Sequence, residues 1–355
     1  MENLQGKIKN STEALNRGDY STSFEKLKPL AEQGDAKAQF NLGFLYRIGQ
    51  GIQQDYHKAY HWYSLAAGQG YPEAQYKIGL MHYKGQVVAK SYQKAFEWYS
   101  LAAIQSNAKA QFNLGVLYRR AQGVPQDHKE AYKWFSLAAE QGYAIAQFTL
   151  GGIYENGEGV TRDHSKALKW IQLAAEQGYI DAQYKLGWMH YHGEEIDQDY
   201  QKALKWYSLA AQKGDLKAQF SLAIMYDNGH GVVQDYKKAF KWASLPAEKG
   251  DMKAQFFLGC LYENGEGVMQ DFKEAVKWYS LAAEQGDNMA QSNLGHLYAE
   301  EKTGNQNLIK AHQWFNIAGA KEIAPIEKSM NSNQIAEAQK LAKEWIKEHK
   351  KIDPS

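Results

Sequence analysis

Residues 188–197, WMHYHGEEID, gather two histidines, a tryptophan, a tyrosine and three acids. Imidazoles and carboxylates at that density could hold a divalent ion or exchange protons. A second pair, His57 and His61, is spaced i, i+4 and would share one face of a helix. Gly157 and Gly159, one residue apart, have the look of a phosphate-cradling turn. None of these carries the rest of its chemistry. There is no His-Glu-x-x-His, and no third ligand lies close in sequence to either pair. Glycine fingerprints of nucleotide sites follow strands, whereas the pattern around these turns is helical. No catalytic residue, metal site or cofactor is therefore expected.

The bulk numbers exclude further classes. Across 355 residues, 41 basic side chains nearly balance 40 acidic ones, so no global field points to nucleic acid or an anionic membrane. One cysteine, Cys260, makes an internal disulfide or a multi-cysteine zinc site impossible. No run approaches the roughly 18 to 20 apolar residues of a membrane span. The first residues lack the apolar stretch of a secretory signal, which makes a cytoplasmic location the default expectation. A removed leader would change that to periplasmic or secreted.

What must position these residues is a repeat. Ala-Gln recurs at Gln39, Gln75, Gln111, Gln147, Gln183, Gln219, Gln255 and Gln291, always 36 residues apart. Tryptophan keeps the same step at Trp62, Trp98, Trp134, Trp170, Trp206, Trp242, Trp278 and Trp314. In each unit Ala38, Leu42, Leu45 and Tyr46, or their equivalents, fall on one helical face. A second helix puts Ala59, Trp62, Tyr63, Ala66 and Ala67 together, with Asp35 and Asp55 as N-caps and Gly70 as a left-handed stop. Asp127 with Glu130, and Asp271 with Glu274, have the spacing of a capping box. Gly43 and its equivalents would let the two helices approach closely.

One such hairpin cannot bury its own Trp and Leu faces, but stacked neighbours can. The fold expected is all-α: a right-handed α/α superhelical solenoid of 36-residue helix-turn-helix repeats with a C-terminal capping helix. Residues 1–34 read as a degenerate first pair. Eight repeats, starting at 35, 71, 107, 143, 179, 215, 251 and 287, fill 35–322. A last amphipathic helix, 332–351, would be capped by Ser332 or Asn333, and the whole would be one continuous domain. Repeat six departs in three slots, with Ala223 for glycine, Ala243 for a large residue and Pro246 inside a helix. A bend or loosened packing is expected there.

Aligned on the repeat, His82 and His190 occupy a slot that is usually tyrosine, and so read as core-edge residues. His192, His57 and His61 fall in exposed slots. Opposite the buried face of the first helix lie positions 37, 40, 44, 47 and 48, which should line a concave groove. Slot 40 is aromatic in seven of eight repeats, which suits packing between helices. Slot 44 varies freely, with Trp188 next in order to Gly152, a candidate aromatic anchor beside a hollow. The candidate partner-binding residues are Phe44, Arg47, Lys77, Tyr83, Arg119, Arg120, Glu155, Trp188, Tyr191, Asp227 and Glu263. Early repeats supply cations and later ones acids, a polarity that would orient a charged peptide.

The pattern Ala-x-Ala-Gln-x-x-Leu-Gly-x-x-Tyr, then Gly-x-Gly-Val-x-x-Asp, then Lys-Ala-x-x-Trp-x-x-x-Ala-Ala-x-x-Gly resembles the Sel-1-like repeat, a relative of the tetratricopeptide repeat. Residues 251–286 fit almost throughout. The resemblance implies a non-enzymatic adaptor, in bacteria often serving complex assembly, signalling or host interaction, and carries no shared catalytic residues. A branch of that family with a cysteine pair in each repeat is linked to β-lactam binding; this chain, with Cys260 alone, departs from it. Ser-x-x-Lys at Ser23/Lys26, Ser91/Lys94 and Ser106/Lys109, with Lys302-Thr303-Gly304, would have to act beside a strand that an all-helical chain lacks. The expectation is thus a monomeric scaffold that takes a protein or peptide in its groove. An envelope-related hydrolase or β-lactam-binding protein is the alternative, and recognition of single-stranded RNA finds no paired-residue code in the repeats.

Overall fold

The computed structural model describes residues 4–300, 307–321 and 323–349, and among these every regular element is an α-helix. The chain divides into two compact units, Met1–Ala182 and Gln183–Ser355. Unit 1 opens with α1 (Leu4–Asn16) and α2 (Tyr20–Glu32). Four hairpins follow: α3 (Ala36–Ile48) with α4 (Tyr56–Gly68), α5 (Pro72–Lys84) with α6 (Tyr92–Ile104), α7 (Ala108–Arg119) with α8 (His128–Glu140), and α9 (Ala144–Asn156) with α10 (His164–Glu176). The fifth hairpin, α11 (Ile180–His192) with α12 (Tyr200–Gln212), begins at the division. Unit 2 continues with α13 (Leu216–Asn228) and α14 (Tyr236–Glu248), α15 (Met252–Asn264) and α16 (Phe272–Glu284), and α17 (Asn288–Ala299) and α18 (Leu308–Ala318). It ends with α19 (Ile323–Glu327) and α20 (Ser332–His349). Within each unit a helix packs chiefly on the helices before and after it, the nearest-neighbour arrangement of an α/α solenoid.

Local chemistry sets the helix ends. Asp35 accepts from the Ala38 N–H at 2.7 Å and Asp55 from Lys58 at 2.9 Å, which satisfies first-turn amides that have no intrahelical partner. Asp127 and Asp271 also cap, but the box is not closed. Glu130 and Glu274 turn outward to Lys133 and Lys277, because the N–H groups of Asp127 and Asp271 are already bound to the carbonyls of Tyr118 and Tyr262. The complete box is instead at α20. There Asn331, not Ser332 or Asn333, accepts from Gln334 at 3.0 Å, and its own N–H donates back to Gln334 Oε1 at 2.9 Å.

The Ala-Gln dipeptide has a structural explanation. Gln39 is buried and donates from Nε2 to the Ala31 carbonyl at 3.1 Å, a second bond to a carbonyl at the end of the preceding helix that also accepts from the Gly34 N–H. Its Oε1 accepts from Gln69 at 2.8 Å, thirty residues on. The same double link recurs at Gln75 with Gln105, Gln111 with Gln141, Gln147 with Gln177 and Gln255 with Gln285. Each glutamine therefore ties the end of one hairpin to the start of the next.

Aromatic residues divide the core between them. The eight repeat tryptophans are only partly buried, whereas the residue after each is sealed: Tyr63, Tyr99, Phe135, Ile171, Tyr207, Ala243, Tyr279 and Phe315 are at most 1% exposed. This corrects the expectation that Trp and Tyr share one buried face. Trp98 covers a cluster formed by Tyr63 and Ala66 of α4 with Ile78 of α5, and Trp134 covers the equivalent cluster of Tyr99 and Leu114. The indole is thus the lid on the seam between consecutive hairpins.

Repeat six is as regular as the others. α14 runs for 13 residues, and Ala243, Pro246 and Ala247 are all buried, so the expected loosening does not occur. Pro246 lies in the last turn and removes only its own N–H, and the donors that follow it stay bonded: Lys249 to Leu245, Gly250 to Ala247 and Asp251 to Pro246.

Candidate functional site

In unit 2 the first helices form a cavity of about 560 Å³ lined by Tyr184, Trp188, Tyr191, His192, Tyr207, Lys217, Phe220, Ser221, Ile224, Asp251, Met252 and Lys253. Trp188 is partly buried, with Lys185 Nζ 5.1 Å above its ring and the His192 imidazole at 4.6 Å. His192 is exposed, and its Nδ1 lies 2.9 Å from the Trp188 carbonyl. His190 and His82 point elsewhere, into the hairpins, where burial lowers the pKa of both. The opening stretch is therefore split: Trp188 and His192 line the cavity, His190 turns to the hairpin, and Glu194, Glu195 and Asp197 lie beyond the end of α11. Among the described residues no group of His, Cys, Asp and Glu could hold a metal ion.

In unit 1 a second cavity, of about 690 Å³, lies among the first helices and the starts of α7 and α9. Phe40, Phe44, Tyr76 and Tyr143 form its rings, and Asn41, Lys77 and Lys109 bring polar atoms. Lys77 is partly buried, and desolvation, followed by Arg47, Lys109 and Lys84, lowers its pKa. Arg47 stacks over Phe44 at 5.2 Å. Phe40 also packs on Tyr63 and Tyr71, and Phe112 on Phe135 and Tyr143, so slot 40 is shared between packing and lining.

Slot 47 holds a feature the sequence reading missed. Arg119 forms a two-pronged ion pair with Glu158, both contacts at 2.9 Å. Tyr191 bonds His230 Nδ1 at 3.0 Å, and Tyr83 donates to Gln122 at 3.4 Å. Each partner lies 39 residues on, in the turn of the next hairpin; that fixed offset was the available signal. Asp227 has no such cation: burial and then Glu266 raise its carboxyl pKa. Glu263 accepts from the Tyr279 hydroxyl at 2.8 Å. Glu155 is partly buried, Arg120 is exposed at the end of α7, and a side chain at Gly152 would meet open space.

The Ser-x-x-Lys triplets carry no shared site. Ser23 is buried inside α2, Ser91 is the N-cap of α6 and Ser106 ends a helix in a left-handed turn. Lys302, Thr303 and Gly304 lie outside the described residues, as do positions 1–3 and 350–351 of the expected caps.

The Sel1 repeat family model matches residues 36–71, 72–107, 108–143, 144–179, 180–215, 216–251, 253–287 and 288–322. This chain belongs to the Sel1 repeat family. Its fold is similar to that of c5321, a protective antigen of uropathogenic Escherichia coli with an SLR fold, at 31% identity and a TM-score of 0.79 over 100% of this chain and 80% of that one. A Sel1 repeat protein from Oxalobacter formigenes is 32% identical with a TM-score of 0.60, over 82% of this chain and 90% of that one. No curated protein matches the sequence. Sel1 repeat proteins are generally protein-interaction scaffolds, and the fold is typically non-enzymatic.

Proposed function

We propose that this chain is a non-enzymatic, monomeric adaptor that holds a polypeptide segment of a partner against its first helices, with Trp188 as the anchor. The observation that carries this reading is the unit 2 cavity, where Tyr184, Trp188, Tyr191, Tyr207 and Phe220, with Ile224 and Met252, surround a volume suited to one or two large side chains. Such a cavity on a rigid repeat array gives apolar burial without a loop having to order. Lys217, Lys253 and Asp251 at its margin supply the polar contacts that fix register. Likeness to a bacterial protective antigen fits a role in complex assembly or host interaction. The hydrolase or β-lactam-binding alternative has no residue constellation in its favour.

The test is selection of a random peptide pool on the full chain, followed by fluorescence titration against wild type and Trp188→Ala. The reading expects Trp188→Ala to weaken selected peptides by about tenfold or more, the usual weight of a buried aromatic anchor, with helicity retained. Unchanged affinity, or no peptide recovered at all, contradicts it.

A further inference from the structure

Resting on that peptide-binding reading, we infer that the unit 1 cavity is a second recognition site, and that its ligand is an acidic segment of polypeptide with an apolar side chain among its carboxylates. Three observations converge on it. The cations are uncompensated: among the described residues no carboxylate lies within ion-pair distance of the lining residues Lys77 and Lys109, or of Arg47 beside Phe44, although Arg119 and the second-helix lysines Lys58, Lys133 and Lys166 each have one. Lys77 is also held in an environment that penalises its charge, which a bound anion would relieve. Asn41 supplies the independent sign of a missing partner. It lines the cavity, is only 7% exposed, and its Nδ2 is buried with no hydrogen bond. A buried amide donor left open costs free energy that a ligand oxygen would recover. The third observation is the ring set. Phe40, Phe44, Tyr76 and Tyr143 are partly buried and leave an apolar hollow beside the cations.

The lining thus asks for carboxylates and an apolar side chain on one short ligand. Glu73, exposed at the start of α5, is the acid on the wall and favours a ligand whose anionic groups are spaced apart over one with a charge at every step. The near-zero net charge of the chain adds no long-range attraction for a polyanion. A peptide with spaced acids fits this lining better than a continuous phosphate backbone.

The experiment uses the full chain and the same random peptide pool. Selected sequences should include a class rich in Asp and Glu with an interspersed Leu, Phe or similar residue. That class should lose about tenfold or more in affinity for the Lys77→Glu/Lys109→Glu variant and weaken with added salt, as ionic contacts do. It should keep its affinity for Lys237→Glu/Lys241→Glu, which changes the same net charge on exposed second-helix positions. If peptides are recovered that depend on Trp188 but no acidic class appears, or the acidic class ignores Lys77→Glu/Lys109→Glu, this inference fails and the Trp188 reading stands. Recovery of no peptide at all overturns both. Tighter binding of a fluorescent single-stranded oligouridine than of every acidic peptide overturns the choice of ligand.

Discussion

Gly187 lies directly under the ring of Tyr207: a methyl group built on it would come within 2.5 Å of Cδ1. The same clash stands between Gly79 and Tyr99 at 2.7 Å and between Gly151 and Ile171 at 2.6 Å. The one hairpin without the glycine, repeat six, also lacks the large partner: Ala223 and Ala243 share a buried cluster. Size at one position is thus balanced by size at the other.

That balance gives a double-mutant cycle. Ala243→Tyr alone should cost about 1 to 3 kcal/mol by overpacking against Ala223. Adding Ala223→Gly should restore most of the loss despite the poorer helix propensity of glycine. Urea denaturation of the four proteins measures the coupling; strictly additive effects would show that the two positions do not oppose each other.

The seam tryptophans and the sealed aromatics should differ in cost. Phe135→Ala empties a fully buried site and should lose about 3 to 5 kcal/mol. Trp134→Ala removes a partly exposed lid and should lose about 2 to 3 kcal/mol, below the full cavity cost. Equal losses, or the reverse order, would return tryptophan to the core.

Ala121 sits at φ +53° in a slot that Gly49, Gly157 and Gly265 fill elsewhere. A left-handed residue with a Cβ is strained by about 1 to 2 kcal/mol, and Ala121 is exposed, with no packing to lose. Ala121→Gly should therefore raise stability by about 0.5 to 1 kcal/mol after the added unfolded-state entropy of glycine is set against the strain. A drop in the denaturation midpoint would refute the strain argument.

Much of the fold was legible because it is written eight times over. A 36-residue step in Gln39, Trp62 and their equivalents needs no more than counting, and helical periodicity within one unit then fixes the hairpin. Depth was not legible. Trp62 and Tyr63 are adjacent and both large, and only the position of the neighbouring hairpin decides which is sealed and which is the lid. The capping boxes at Asp127 and Asp271 misled for a similar reason: the reciprocal donor was taken by a carbonyl nine residues back, a contact of the turn and not of the helix. The candidate site was half visible. Slot 44 pointed to Trp188, but the links from Arg119 to Glu158 and from Tyr191 to His230 join different repeats, and a reading of one unit at a time passes over them.

The Asp227 carboxyl carries a pH signature. Burial and Glu266 raise its pKa in the folded chain, so the native state holds a proton that the unfolded state has already released. Above the folded pKa this group opposes folding, and the penalty is relieved as pH falls toward the ordinary aspartate value. Asp227→Asn should accordingly be more stable than wild type at pH 7, with the gain shrinking in acid. Melting curves at pH 7 and across the acidic range check the sign; a gain that grows on acidification would reverse the assignment.

Whether partners are held by the first helices can be read from a photoreactive derivative of a selected peptide, crosslinked to the full chain and mapped by mass spectrometry. Crosslinks are expected at Trp188, Tyr191 and Ile224, lost on competition with unlabelled peptide. Crosslinks confined to exposed second-helix positions such as Lys237 and Lys241 would contradict it.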